Sequence, residues 1–119
     1  MQVHDSPSGR AARVLLSGEL DIAAADRLRQ TMLRVCLDRD LVLVDLQGVT
    51  FIDSTIIGVL VAAWKRCGMS GGRFFLTGVN GEPRRTLELV GLTGLLLADD
   101  GVPAGLEAEL RQLLDAPAG

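Results

Sequence analysis

Aromatic side chains and histidine are scarce in this chain of 119 residues. It contains one Trp, three Phe, no Tyr and a single histidine, His4. Without aromatic platforms for stacking bases, and with a net charge of −3, the sequence argues against nucleic-acid binding. Hydrophobic residues still make up 48% of the chain, so its core must be built from Leu, Val, Ile and Ala.

The groups that enzymes use are equally sparse. One histidine near the N-terminus offers no suitable base for a Ser-His-acid triad, and no Gly-rich loop is followed by the Lys-Ser/Thr pair of a nucleotide-binding phosphate loop. The carboxylate pairs, Asp99 with Asp100 and Glu107 with Glu109, are expected to be solvated surface charge. We therefore expect the chain not to be an enzyme and to hold no cofactor or metal.

Two cysteines, Cys36 and Cys67, fall in different predicted helices. They are too few and too far apart for a zinc site or a disulfide framework, and we expect two buried free thiols. The first residues lack the apolar segment of a signal peptide, and the longest apolar run, residues 56–64, is far shorter than the ~20 residues of a membrane span. The sequence therefore predicts a cytoplasmic protein without a membrane span.

Apolar periodicity and turn residues predict strands that alternate with helices. The expected strands cover residues 2–3, 11–16, 41–46, 73–77 and 95–97, and the expected helices cover residues 22–36, 54–67, 83–90 and 104–114. Elements that alternate at this spacing favour an α/β layer fold with a mainly parallel sheet. Ile22, Trp64 and Leu114 are expected to point into the core.

The turn before the second helix carries Asp53, Ser54 and Thr55. Hydroxyl groups at a helix N-terminus lie among free backbone N–H groups and the positive end of the helix dipole. Such a position suits a capping side chain and suits a phosphate group equally well. The helix that follows is apolar nearly all round, so part of its surface must contact neighbouring helices or a partner.

Four segments occur in a recognisable order: LSGELD at residues 16–21, VDLQGVTFIDST at residues 44–55, the Gly-Gly pair before Phe74, and RTLELVGL at residues 85–92. Together they resemble the STAS domain, the family of sulphate transporter and anti-sigma factor antagonist domains. The resemblance implies a two-layer α/β fold with about four to five strands and about four helices. It also implies a single domain over residues 1–119, with its core at about residues 11–115 and frayed ends.

The length of the chain is similar to that of the stand-alone anti-sigma factor antagonists, and that resemblance implies a partner switch. In such proteins an anti-sigma factor with a histidine-kinase-like ATPase fold phosphorylates the serine after the aspartate, here Ser54, with Thr55 as a second hydroxyl. The unmodified antagonist binds the anti-sigma factor and frees a sigma factor, and a serine phosphatase reverses the modification. The implied partner-binding residues are Asp21, Asp53, Ser54, Thr55, Ile56, Ile57, Gly58 and Leu60.

An alternative is a STAS interaction module that is not phosphorylated, such as a subunit of a sensory complex or an accessory of a membrane lipid transporter. The family commonly has a glycine two residues after the phosphorylated serine, where this chain has Ile56. A β-branched side chain there is expected to fill space that a kinase would approach.

Overall fold

The computed structural model describes residues 1–97 and 102–115. The elements are β1 Gln2–Asp5, β2 Ala11–Leu20, α1 Ile22–Val35, β3 Leu41–Ile52, α2 Ser54–Met69, β4 Arg73–Thr77, α3 Gly81–Leu89 and α4 Glu107–Asp115, with a short 3₁₀ helix at Thr93–Leu95. Asp99 and Asp100, which the sequence places on the surface, lie outside the described residues.

The four strands form one sheet in the order β1-β2-β3-β4. β1 is antiparallel to β2, whereas β2, β3 and β4 run parallel, which confirms the predicted mainly parallel α/β fold. β2 and β3 are longer than predicted, because residues 17–20 continue to pair with residues 48–52 through two register shifts. This extension carries both strands beyond β4 and determines where α1 and α2 begin.

The apolar residues divide between the two faces of the sheet. The larger cluster lies beneath α1, α2 and α3 and includes Val42, Val44 and Leu46 of β3. The smaller cluster joins Leu41 and Leu43 of the same strand to α4. Because β3 is covered on both faces, its sequence is a continuous apolar run rather than an alternating one.

A buried ion pair lies on the face that α4 covers. The guanidinium of Arg13 in β2 donates to the carboxylate of Asp45 in β3, and both side chains are only 7% exposed. The same guanidinium donates to the carbonyl of Leu113 in α4 at 2.8 Å. This pair therefore connects two strands and the helix that packs over them.

Three details of the sequence prediction are wrong. Ile22 was expected inside the apolar stripe of α1 but is 72% exposed, because it is the first residue of the helix, just beyond the end of the strands. Leu114 was expected to point inward but is 38% exposed. The predicted last strand is a 3₁₀ turn with a single bridge between Leu96 and Leu76.

In this structure Cys36 and Cys67 form a disulfide, which differs from the expectation of two free thiols. Cys36 directly follows α1, and Cys67 lies in the last turn of α2. The two helices start side by side and run in the same direction, so their C-terminal ends also meet. Residues that are 31 positions apart in sequence thereby become neighbours.

Glu109 ties α4 to the turn between β1 and β2, since its carboxylate accepts hydrogen bonds from the backbone N–H and the hydroxyl of Ser8. Hydrogen bonding to Ser6 and Ser8 lowers the pKa of Glu109 below its ordinary value of 4.5. A carboxylate with a lowered pKa stabilises the folded state above its unfolded-state pKa, and this contribution is lost as the pH falls through the folded-state pKa.

We therefore expect Glu109→Gln to reduce the acid sensitivity of this domain. Thermal melts followed by circular dichroism between about pH 6 and pH 3 should show a steeper loss of melting temperature in the wild type than in the variant. Equal slopes for the two proteins would contradict a stabilising role for the Glu109 carboxylate.

Candidate functional site

Two helices begin side by side at the carboxyl ends of two parallel strands. The register of β2 and β3 pairs Leu20 with Ile52, and each of these residues is followed by an aspartate, Asp21 or Asp53. Neighbouring strands lie about 4.8 Å apart, so α1 and α2 open at the same edge of the sheet. This edge is where ligand and partner sites of α/β proteins usually lie.

The two aspartates are the N-caps of these helices. Asp53 Oδ1 accepts a hydrogen bond from the backbone N–H of Ile56 at 2.9 Å, and Asp21 Oδ1 accepts one from Ala23 at 3.0 Å. Both capping residues have extended backbone conformations, as N-caps require. The capping role at the start of α2 therefore belongs to Asp53.

Ser54 is the first residue of α2, and it is exposed. Across residues 1–97 and 102–115, its hydroxyl makes no hydrogen bond. The sequence left open whether the hydroxyl pair is a cap or a modification site. Because Asp53 supplies the cap, the exposed Ser54 hydroxyl is not needed for capping α2.

The predicted partner-binding residues fall into three groups that differ in their exposure to solvent. Asp21, Ser54 and Gly58 are exposed; Asp53, Thr55 and Ile57 are half-buried; Ile56 and Leu60 are buried. Because Ile56 and Leu60 point beneath α2 into the core, this conformation offers neither side chain to a partner. The expectation that Ile56 fills the space in front of Ser54 is wrong for the same reason.

Two exposed apolar residues that lie close in sequence to the helix caps were not predicted as site residues. Ile22 follows the cap of α1 and is 72% exposed, and Phe51 near the end of β3 is 42% exposed. Periodicity had assigned Ile22 to the core, and no local pattern distinguishes an exposed Phe51 from a buried one. We use the term helix-start surface for the exposed residues within five positions of one of the two caps that the argument below uses, Asp21, Ile22, Phe51, Ser54 and Gly58.

Trp64 was expected in the core, but it is 47% exposed. It lies ten residues beyond Ser54 along α2, outside the helix-start surface. The part of α2 that is buried consists of Ile56, Val59, Leu60, Ala63 and Cys67. Trp64 lies on the exposed side of α2 and is not part of this buried face.

Gly58 lies one helical turn after Ser54 and is exposed. A Cβ atom added at this position would meet no other atom within 4 Å. Glycine inside a helix costs about 1 kcal/mol relative to alanine, and nothing in the packing of the domain compensates for that cost. A glycine here instead permits another molecule to approach the helix backbone closely.

The STAS domain family matches residues 8–102 of this chain. The chain belongs to the STAS domain family. Its relatives include the anti-sigma-B factor antagonist of Staphylococcus aureus, which is 25% identical over 103 residues that span 85% of this STAS domain chain and 94% of that protein. The anti-sigma F factor antagonist of Paenibacillus polymyxa is 31% identical over 100 residues, or 82% and 86% of the two chains.

Solved structures show the same fold. An anti-sigma factor antagonist from Mycobacterium paratuberculosis superposes with a TM-score of 0.68 at 26% identity, covering 96% of this STAS domain chain and 92% of that one. The phosphorylated form of the Bacillus protein SpoIIAA gives a TM-score of 0.68 at 18% identity, with coverage of 93% and 97%. At 18% identity, the similarity to SpoIIAA is evidence for a shared fold alone.

These relatives are named as regulatory antagonists and not as enzymes, and the expectation that this STAS domain is not an enzyme is confirmed by that assignment. Among the described residues, no helix has both the length and the apolar character needed to cross a membrane.

Proposed function

We propose that this STAS domain is an anti-sigma factor antagonist whose binding to an anti-sigma factor is controlled by phosphorylation of Ser54. The observation that carries the proposal is the exposed Ser54 hydroxyl, which the cap formed by Asp53 leaves free at the start of α2. Similarity to two named antagonists over most of both chains supports the role. The Bacillus protein SpoIIAA, which has the same fold, has been solved in unphosphorylated and phosphorylated forms.

In the unmodified state, the helix-start surface includes two exposed apolar side chains, Ile22 and Phe51, and the exposed Asp21. Apolar side chains surrounded by polar ones are typical of the centre of a protein interface. Burying both against an anti-sigma factor supplies the affinity, and the open backbone at Gly58 allows close approach.

Phosphorylation changes the charge of this surface. A phosphate adds about −1.5 to −2 charges to Ser54, next to the caps Asp53 and Asp21. In the free domain the phosphate remains solvated and faces the positive end of the α2 dipole, so the fold tolerates it. In a packed complex the same charge is desolvated and repels nearby carboxylates, so the complex dissociates.

The proposed partner is an anti-sigma factor with a histidine-kinase-like ATPase fold, which also acts as the kinase, and a serine phosphatase restores the unmodified state. Ser54 is the better acceptor because it is exposed, whereas Thr55 is half-buried. The whole exchange is proposed to take place in the cytoplasm, where sigma factors act.

A direct test captures partners from the source cell on immobilised wild-type and Ser54→Ala proteins, and then incubates both complexes with Mg²⁺ and ATP. Mass spectrometry is expected to identify an anti-sigma factor kinase on both baits. It should find phosphate on the peptide containing Ser54 in the wild type only. Recovery of a partner with no kinase fold, and no phosphate on either bait, would instead indicate a constitutive module such as a sensory-complex subunit or transporter accessory.

Gly58→Ala should separate stability from binding. We expect the variant to be up to about 1 kcal/mol more stable than the wild type, because alanine favours the helix and its Cβ meets no other atom. We also expect it to bind the anti-sigma factor more weakly, because the added methyl group keeps the partner away from the helix backbone. Denaturant unfolding and titration calorimetry measure the two effects.

Gly68→Ala is the matched control, since Gly68 lies in the same helix and is exposed, and a Cβ added there would also meet no other atom within 4 Å. It lies ten residues, or about 15 Å, further along α2. The Gly68→Ala variant should gain similar stability and should bind the anti-sigma factor as tightly as the wild type. Equal affinities for both variants would exclude Gly58 from the interface.

A further inference from the structure

The C-terminal ends of α1 and α2 bring two cysteines together in the interior. Cys36 and Cys67 are 0% and 1% exposed, and their Cα atoms are 5.0 Å apart. That separation lies within the range of about 4.4–6.8 Å found for disulfides, so the backbone requires no movement to form the bond.

We propose that Cys36 and Cys67 are a reversible redox clamp that stabilises this domain when a thiol oxidant is present. The oxidant class is a small disulfide such as oxidised glutathione. The thiolate of one cysteine attacks a sulfur of that disulfide and releases one glutathione thiol, which leaves a mixed disulfide. The second cysteine then displaces the remaining glutathione, so two electrons and two protons pass from the protein thiols to two glutathione molecules.

One contact of Cys36 can serve as a hydrogen bond when the pair is reduced. Cys36 Sγ lies 3.7 Å from the carbonyl oxygen of Ala63, which is close enough to accept a hydrogen bond from the thiol. Reduction therefore leaves the Cys36 thiol with a partner in the core. In a reducing compartment the dithiol is the resting state, and the clamp closes when the glutathione pool becomes oxidised.

Access to the pair is through the end of α1. Cys36 is the C-cap of that helix, held by a hydrogen bond from its backbone N–H to the carbonyl of Met32, and the next residue, Leu37, is 63% exposed. Opening of this last turn exposes the Cys36 sulfur, whereas the end of α2 at Cys67 is held by hydrogen bonds from the backbone N–H groups of Ser70 and Gly72 to the Cys67 carbonyl. Cys36 is therefore the sulfur that reacts first, and local opening of the helix limits the rate.

The clamp acts on stability and not on the proposed partner site. The bond closes a loop of 31 residues that contains β3 and most of α2, which restricts the unfolded chain. Ser54 lies 13 residues from Cys67 along a regular helix, or about 20 Å away, so the bond forms far from the proposed phosphorylation site. The inference is therefore independent of the partner-switch proposal.

The test equilibrates the folded wild-type chain with oxidised or reduced glutathione and counts free thiols after denaturation. We expect no free thiols in the first sample and two in the second, with a melting temperature about 10 °C higher in the first. Two free thiols after oxidation, or the same melting temperature in both samples, would overturn the proposal.

The variants Cys36→Ala and Cys67→Ala are the controls. Each variant removes one sulfur from the pair. In oxidised and in reduced glutathione alike, its melting temperature should be close to that of the reduced wild type. A variant that keeps the full dependence of melting temperature on glutathione would show that the effect does not come from this bond, and would also overturn the proposal.

Discussion

Replacing Ser54 with Asp is expected to weaken binding of the anti-sigma factor about a thousandfold, which corresponds to ~4 kcal/mol. The added carboxylate directly follows the capping residue Asp53, at the surface that the partner is proposed to cover. Desolvation and like-charge repulsion both oppose the complex. The melting temperature should hardly change, because an acidic residue in the first turn of a helix is favourable. Titration calorimetry with the purified partner measures the affinity.

Two further variants make this result interpretable. Ser54→Ala should bind as tightly as the wild type, because it adds no charge and removes a hydroxyl that is not the helix cap. Gln112→Glu adds one negative charge on α4, which covers the opposite face of the sheet, and it should also bind normally. If Ser54→Asp binds at full strength while its melting temperature is unchanged, Ser54 does not lie in the interface.

Asp45→Ala should destabilise the domain by about 3–5 kcal/mol, which is the usual cost of breaking a buried ion pair from one side. The variant removes the Asp45 carboxylate that bonds the guanidinium of Arg13, whose side chain is 7% exposed. It also removes the hydrogen bond that Asp45 Oδ1 accepts from the backbone N–H of Gln47 at 2.8 Å. Urea unfolding followed by circular dichroism measures the loss.

The matched control replaces both partners, as Arg13→Met with Asp45→Leu. Removing the two charges together does not leave one member of the buried pair without the other, so the double variant should be more stable than Asp45→Ala alone. A loss below about 1 kcal/mol in Asp45→Ala would show that water reaches Arg13 and that the pair contributes little.

Local features of this chain were predictable because they depend on residues a few positions apart. The cap Asp53 bonds to the backbone three residues ahead, and the apolar stripe of α1 repeats every three to four residues. β4 was predicted at residues 73–77 and is observed there, between the turn at Gly71 and Gly72 and the glycine at position 78. These signals also located the start of α2, and with it Ser54.

The arrangement of the site depends on strand pairing, which no local pattern encodes. The register of β2 against β3 places Leu20 opposite Ile52, and this pairing sets the two helix starts side by side. Parallel pairing also opposes Arg13 to Leu43 and Leu15 to Asp45, so the buried charge pair forms diagonally between strands. In the sequence, Asp45 only marks where an apolar run becomes polar.

Contacts between residues that are distant in sequence account for the remaining differences between the sequence prediction and the structure. The cysteine pair, the exposed Ile22 and the exposed Trp64 all follow from which helix packs against which part of the sheet. Local hydrogen bonds and side-chain periodicity therefore define the elements, their caps and the position of Ser54 at the start of α2. Long-range pairing of strands and helices defines which surface surrounds that serine, because contacts between distant residues form only when the whole sheet is assembled.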